Sequence, residues 1–241
     1  MGINRDDYQV RAIERSECEH HILNIHYAKR WPPISYAFGL FKKKQPELLG
    51  VVTYGVPSSS TLRAGIAGEE YTGSVFELNR LCLTNNEPNE AGYLVGKSLR
   101  MLPQNIIIVS YADTSQGHLG SVYQATNFIY TGLSAKRSDY KLKGKEHIHT
   151  TTLTDEFRGQ PSPIKLLREK YGDDLYLAPR PRKHRYVIIR GSKSFRKQVL
   201  EKLRYSQEKY PKKKPSLKTF VRKERGSVTL SVSEDDDDWG W

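Results

Sequence analysis

The sequence predicts an α/β (α+β) protein: a mixed β-sheet flanked by helices, followed by a basic C-terminal extension. Three observations carry this. Residues 35–57 hold two alternating apolar runs separated by a turn, the pattern of a β-hairpin. Residues 105–113, NIIIVSYAD, form a nearly continuous apolar run of strand length, as expected of a central strand covered on both faces. Between them, Leu94, Val95, Leu99 and Leu102 recur at helical spacing. At 241 residues the chain can bury one substantial core and carry a small appendage.

Taken in order, residues 13–30 (IERSECEHHILNIHYAKR) place Ile13, Ile22 and Ile25 among charged neighbours and stop at Trp31-Pro32-Pro33, which predicts one or two helices ended by proline. SYAFGLFKK (35–43) and LLGVVTYGVP (48–57) flank a KKQPE turn as a hairpin, and PSSSTLRAGIAGEEYTG reads as a Ser- and Gly-rich loop. VFELNRLCLT (75–84) is a third strand, interrupted by Glu77, Asn79 and Arg80. Buried charge is costly unless paired, so these residues either line a cleft or belong to a solvated edge strand. Asn89, Glu90 and Pro103 bound a helix. The segment Asn105 to Gly132 reads as strand, helix (Leu119, Val122 and Tyr123 inward) and strand, and is the unit expected to carry an active site. Beyond 134 the pattern loosens, leaving a short helix PIKLLREKYG, a strand RKHRYVIIRG and a helix KSFRKQVLEKLRY ended by Pro211.

Charge divides the chain into three zones. Residues 1–134 hold 12 basic and 12 acidic side chains, residues 135–226 hold 27 and 10, and residues 227–241 hold five acids and no base. The expected organisation is therefore a catalytic core over 1–134, a basic extension over 135–210 that packs on it and binds nucleic acid, and a flexible Lys-rich segment with an acidic tail over 211–241. A segment this basic attracts a polyanion by releasing condensed counterions; a merely solvated lysine-rich surface is the alternative. No window approaches about 18 uncharged apolar residues, and the N-terminus lacks the order of a signal peptide. The cytoplasm, with no membrane partner, is the expected location. Cys18 and Cys82 give no disulfide framework.

The element order, with a helix between adjacent strands and a following YQATNF segment, resembles the GNAT acetyltransferase fold. At the level of words, HYAKRWPPISYAFGLF, ELNRLCLTN, SYADTSQGHLGSVYQATNFIYTG, RKHRYV and KYPK resemble the Mom family, DNA-modification proteins of Mu-like phages. That resemblance implies conversion of adenine N6 in duplex DNA to its carbamoylmethyl (methylcarbamoyl) form, which protects phage DNA from host restriction. Carried over by position, it implies catalytic roles for Asp113, Tyr123, His26, Tyr27 and Tyr36 and a binding role for Arg80. Glu77, Asn79, Ser110 and Asn127 complete the candidate substrate- and donor-binding set. Each has a plainer reading. Asp113 stands where a helix N-cap belongs, Tyr123 suits a core position, and Arg80 suits either an ion pair or a phosphate.

The fold resemblance implies acetyl-CoA as donor, yet TNNEPNEAGYLVG offers only Gly92 and Gly96, with Glu87 and Glu90 facing a pyrophosphate. Glycyl-tRNA is the alternative donor, because a glycyl group on N6 is an isomer of the carbamoylmethyl product. The family's association with iron makes a metal possible, with His26 its first candidate ligand; Cys18, His21 and His26, or His147 and His149, lack the spacing of a known site. A neutral His26 is instead a candidate base for the N6 proton. Adenine N6 in a stacked pair is expected to be flipped into the cleft, where Tyr27, Trp31 and Tyr36 are candidates to stack on it. Arg180, Arg182, Lys183, Arg185, Lys212, Lys213 and Lys214 are expected to grip phosphates. A GNAT acetyltransferase of protein or small-molecule amines, and a non-catalytic DNA-binding phage protein, are the competing functions.

The tail SEDDDDWGW either competes with DNA for the basic surface, docks a protein partner through Trp239 and Trp241, or aids solubility. If it competes, deleting residues 234–241 tightens DNA binding at low salt; an unchanged affinity in the same titration removes the idea.

Overall fold

A computed structural model describes residues 3–148 and 150–212. Seven strands form one sheet in the order β1-β2-β3-β4-β5-β9-β6. They are β1 (Tyr8–Ala12), β2 (Tyr36–Lys42), β3 (Leu48–Gly55), β4 (Val75–Leu83), β5 (Ile106–Asp113), β6 (Ile129–Leu133) and β9 (Lys183–Arg190). Neighbours are antiparallel except β4 and β5, which run parallel. A parallel pair needs a crossover, supplied by α2 (Glu90–Met101). This mixed sheet with flanking helices is the expected α/β class.

The continuous apolar run of β5 is explained by cover on both faces. Ile106 and Ile108 face the larger core with Leu94, Val95 and Leu99 of α2. Ile107 and Val109 face the opposite side, where Ile66 of α1 (Ser60–Ala67) and Val199 of α6 (Lys193–Glu201) close a second core. Tyr54 and Ser98 share a buried hydroxyl hydrogen bond of 2.7 Å in the first core. A third cluster packs Cys18 and Ile22 on Ala37, Val51 and Cys82, and both thiols are reduced and buried.

Several expectations need correction. Residues 57–73 are not a loop: Ser59 accepts a hydrogen bond from the Leu62 N–H and starts α1, whose short inward row of Leu62 and Ile66 was hidden among Ser and Gly. A 3-10 turn, Glu69–Ser74, follows. Residues 13–30 do hold a helical stretch, a 3-10 turn at Arg15–Cys18 running on into a π-helical turn at His21–Ile25, but it ends at His26 and not at the prolines. The last helix stops at Glu201, well before Pro211, and α3 is only Ser121–Ala125. The loosened stretch after 134 contains β7 (Arg137–Leu142), β8 (Leu175–Arg180), α4 (Thr150–Asp155) and α5 (Pro163–Tyr171). These share a small core of Leu142, Leu153, Leu167 and Leu175.

The core also does not close at residue 134. β9 lies between β5 and β6, with Tyr186 contributing to one core and Val187 and Ile189 to the other. Charge composition marks which side chains face outward, and so it does not locate the end of a core. Residues 213–241, including Lys213, Lys214 and the acidic tail, lie outside the described residues.

β3 ends at Gly55 where the loop from His26 to Pro33 crosses it. A Cβ there would stand 1.9 Å from the Pro33 carbonyl oxygen, a backbone atom that cannot swing aside. Gly55→Ala is expected to lower unfolding free energy by about 1–3 kcal/mol, read as a lower urea midpoint.

Candidate active site

β4 and β5 pair from Val75 opposite Ile107 to Leu78 opposite Ser110 and no further. Past that point β4 stays paired to β3, and β5 stays paired to β9. The two parallel strands therefore part, and a cleft of about 1150 Å³ opens between them. At the fork the Ser110 hydroxyl donates to the Leu78 carbonyl at 2.9 Å. Tyr123, from α3, brings its hydroxyl to Ser110. Asn79 is the extra residue of a bulge between Thr53 and Tyr54, which turns the polar positions of β4 toward the cleft.

Asp113 ends β5 and carries two duties. Its Oδ1 accepts from the Ser115 N–H at 3.0 Å and the Ser115 hydroxyl at 2.6 Å, capping the 3-10 turn that follows. Its Oδ2 lies 3.0 Å from the Lys183 ammonium. Burial would raise its pKa, but Ser115 and Lys183 outweigh burial and hold it below the ordinary aspartate value. An ionised carboxylate with both oxygens engaged is a weak base. Its effect is to fix Lys183, which lines the cleft.

Glu77 is the contrasting carboxylate. It is half-buried in the cleft, and burial raises its pKa against the pull of Lys183 and Arg80. Tyr123 is buried, and burial pushes its phenol up to about 12 despite the Ser110 hydrogen bond. The cleft thus joins a carboxylate of raised proton affinity, a neutral phenol donor and a fixed ammonium.

The opposite wall comes from the loop after the π-helical turn. His26 is buried and Tyr27 stacks on it with centroids 4.4 Å apart; Tyr27 also meets the ring of His118 edge-on at 5.9 Å. Burial, with Arg80 and His118 nearby, pushes the His26 pKa down to about 4. Its Nδ1 accepts from the Ala28 N–H at 3.1 Å, which puts the proton of the neutral ring on Nε2. His26 consequently presents a donor to the cleft. Neither the expected base nor the expected metal ligand fits that tautomer, since both need a lone pair on Nε2. Among the described residues no three His, Cys, Asp or Glu side chains come together to hold a metal, and the residues present do not fit iron.

Arg80 donates Nε and Nη2 to the Arg30 carbonyl at 3.2 and 2.6 Å and Nη1 to the Asn79 carbonyl at 2.6 Å. Asn79 donates to the Pro33 carbonyl at 2.7 Å and accepts from Thr53 at 2.7 Å. Both side chains line the cleft while anchoring its aromatic loop. Tyr36 packs on Phe76 instead, with centroids 5.6 Å apart, and does not line the cleft. Asn127 is exposed at a left-handed backbone position (φ 62°) closing α3, a conformation asparagine tolerates.

Among the expected phosphate grips, Arg185 is buried, bonded to Thr131 and stacked on the Tyr205 ring at 3.3 Å, so it is not available to an external backbone. Arg182 donates to the Ser134 carbonyl at 2.6 Å. Arg180 pairs with Asp139 at 3.6 Å on the cleft rim, and Lys212 is exposed. His118, Tyr111 and Arg137 also line the cleft and were missed by sequence reasoning. The positions of Tyr111 and His118 inside the SYAD to YQATN segment would have pointed to two of them.

The N-terminus of α2 is where the resemblance to acetyltransferases would place a pyrophosphate. Glu90 is buried and accepts from the Glu87 N–H at 3.0 Å. A pyrophosphate bound there would lie beside this acidic side chain, in a turn that lacks the run of glycines such a site calls for.

Comparison with known proteins gives a match of residues 7–212 to the family model described as the Mom protein family. Methylcarbamoylase mom of Escherichia phage Mu is 29% identical over 219 residues, covering 88% of this chain and 87% of that protein. Among solved structures, the ribosomal-protein-S5-alanine acetyltransferase from Vibrio fischeri is similar at 12% identity and TM-score 0.44, over 79% of this chain and 97% of its own. An acetyltransferase of the GNAT family from Bacillus cereus is similar at 10% identity and TM-score 0.38, over 77% and 99%.

The Asp113 ion pair has a pH signature. A carboxyl whose pKa is lower folded than unfolded stabilises the protein above its ordinary value of 3.8, and that stabilisation is lost as pH falls through the folded value. Asp113→Asn is therefore expected to cost about 1–2 kcal/mol at pH 7. In urea unfolding the gap to the parent protein narrows below pH 3.8.

Proposed function

The chain belongs to the Mom protein family, and from that premise we propose that it is a transferase that converts adenine N6 in phage DNA to the methylcarbamoyl form at the cleft between β4 and β5. The observation that carries this reading is the convergence of Glu77, Tyr123 and the Asp113–Lys183 pair on one cavity in a chain related over most of its length to a methylcarbamoylase.

The N6 lone pair is delocalised into the purine ring, so acylation at N6 needs its proton removed as the new bond forms. Glu77, raised by burial, is the base suited to that step; Asp113 is already committed to Ser115 and Lys183. Tyr123, neutral at physiological pH, donates to the oxygen or leaving group that gains charge. The Lys183 ammonium and the Nε2–H of His26 stabilise the same developing charge. The cleft volume of about 1150 Å³ accommodates a flipped nucleoside together with an acyl group. Duplex DNA with an everted adenine is the substrate in this reading, and protection from restriction its consequence.

The buried Glu90 at the start of α2, in a turn with few glycines, favours a donor other than acetyl-CoA. In the glycyl-tRNA alternative, N6 first attacks the glycyl ester carbonyl, the bond to the tRNA ribose oxygen breaks, and that oxygen leaves with the proton given up by N6. The glycyl amine then attacks C6 through a five-membered ring, the C6–N6 bond breaks, and the former N6 leaves as the amide nitrogen of the carbamoylmethyl product. No atoms are gained or lost, so the rearrangement needs only proton transfers of the kind Glu77 and Tyr123 supply.

Mass spectrometry of nucleosides from DNA of expressing cells is expected to show modified deoxyadenosine, labelled from glycine rather than acetate. Finding only unmodified deoxyadenosine overturns the reading. Glu77→Gln and Tyr123→Phe are each expected to lower modification about 100-fold or more while the protein stays folded. The Glu77-dependent rate rises with pH along a limb centred above the ordinary glutamate value of 4.5, and Glu77→Gln abolishes that limb.

A further inference from the structure

We infer that Trp31 is a wedge that enters the DNA base stack at the place vacated by the everted adenine. The inference rests on the reading of the cleft as the site of an everted base, and it adds the device that holds the duplex open.

The loop from His26 to Pro33 is bound to the cleft at both ends of Trp31. On one side the Arg80 guanidinium holds the Arg30 carbonyl through Nε and Nη2. On the other, Asn79 holds the Pro33 carbonyl at 2.7 Å. The absence of a side chain at Gly55 lets that carbonyl press against β3. Pro32 and Pro33 fix their own φ angles, and the chain rejoins the sheet through the Ser35 N–H and the Tyr54 carbonyl at 2.7 Å. The backbone that carries Trp31 is therefore held at a set offset from the cleft. Yet 42% of Trp31 is exposed, although a tryptophan side chain gains most when its faces are covered.

Its neighbours say what would cover it. Lys29, turned by a left-handed backbone (φ 41°), and Arg30 precede it. Asp155, which Arg30 approaches at 4.0 Å, is engaged more closely by Arg158 at 2.8 Å, leaving the rim net positive. Four residues before Trp31, Tyr27 lines the cleft. A rigid apolar ring beside a nucleoside-sized cavity, flanked by cations that suit phosphates, matches a side chain that unstacks a base step and fills the gap. Tyr27, stacked on His26 inside the cleft, is the partner of the everted base, whereas Trp31 lies outside it.

The chain has three tryptophans, so Trp239→Phe with Trp241→Phe leaves Trp31 as the sole reporter in the full-length protein. Its emission is expected to be quenched on binding a mixed-sequence duplex, with binding followed independently by anisotropy; binding without quenching overturns the wedge. In expressing cells Trp31→Ala is expected to cut modified deoxyadenosine about 10-fold or more, with Trp31→Phe keeping most of it. Equal modification by Trp31→Ala and the parent overturns the inference. A duplex carrying a bulged adenine, already out of the stack, is expected to restore Trp31→Ala binding to within about twofold of the parent; an equal deficit on bulged and intact duplexes would mean that Trp31 is a simple contact and also overturns it. Loss of the cleft reading looks different: the parent protein itself then yields no modified nucleoside.

Discussion

β4 and β5 exchange backbone hydrogen bonds only as far as Leu78 and Ser110. A sheet that abandons its pairing leaves polar backbone and side-chain groups seeking partners, and the rest of the site is arranged around this fork. Ser110 closes its apex, Tyr123 rests on Ser110, and the Asn79 bulge turns β4 so that Arg80 and Asn79 reach the loop carrying His26 and Tyr27. Each outer edge is secured elsewhere, β4 by β3 and β5 by β9, which keeps the opening from collapsing.

The two carboxylates at this fork show how position sets chemistry. Asp113 sits at a strand end, where a free N–H and a lysine are both within reach, and becomes a fixed anion. Glu77 sits on the wall of the cleft, with charges near but none bonded to it, and holds its proton more tightly. A residue type alone says nothing of that division. The word SYAD draws attention to Asp113, while the geometry gives the proton-transfer role to Glu77.

Sequence periodicity revealed the hairpin β2–β3, the helix α2 and the strand β5, because long apolar patterns repeat often enough to be recognised. It also flagged Glu77, Asn79 and Arg80 as misplaced in an ordinary strand, and these do line the cleft. What it missed was short or set by distant partners. β1 and β8 carry mostly charged or exposed residues, and α1 hides two inward side chains among Ser and Gly. The tautomer of His26 is decided by the N–H of Ala28, and the engagement of Arg185 by Thr131 and Tyr205. The family resemblance singles out Tyr36, yet strand alternation points it toward Phe76.

The insertion of β9 between β5 and β6 bears on how the protein comes into being. β5, the most apolar strand, has no neighbour on that side until β9 is made, beginning 70 residues after β5 itself is complete. A nascent chain therefore carries an unpaired hydrophobic edge through much of its synthesis, the situation in which strand edges invite aggregation. The long-range pairing that removes this edge also delivers Lys183 to Asp113. Burial of the edge and assembly of the charged centre are thus one event, and a chain truncated before β9 lacks both a closed core and the cation that its cleft requires.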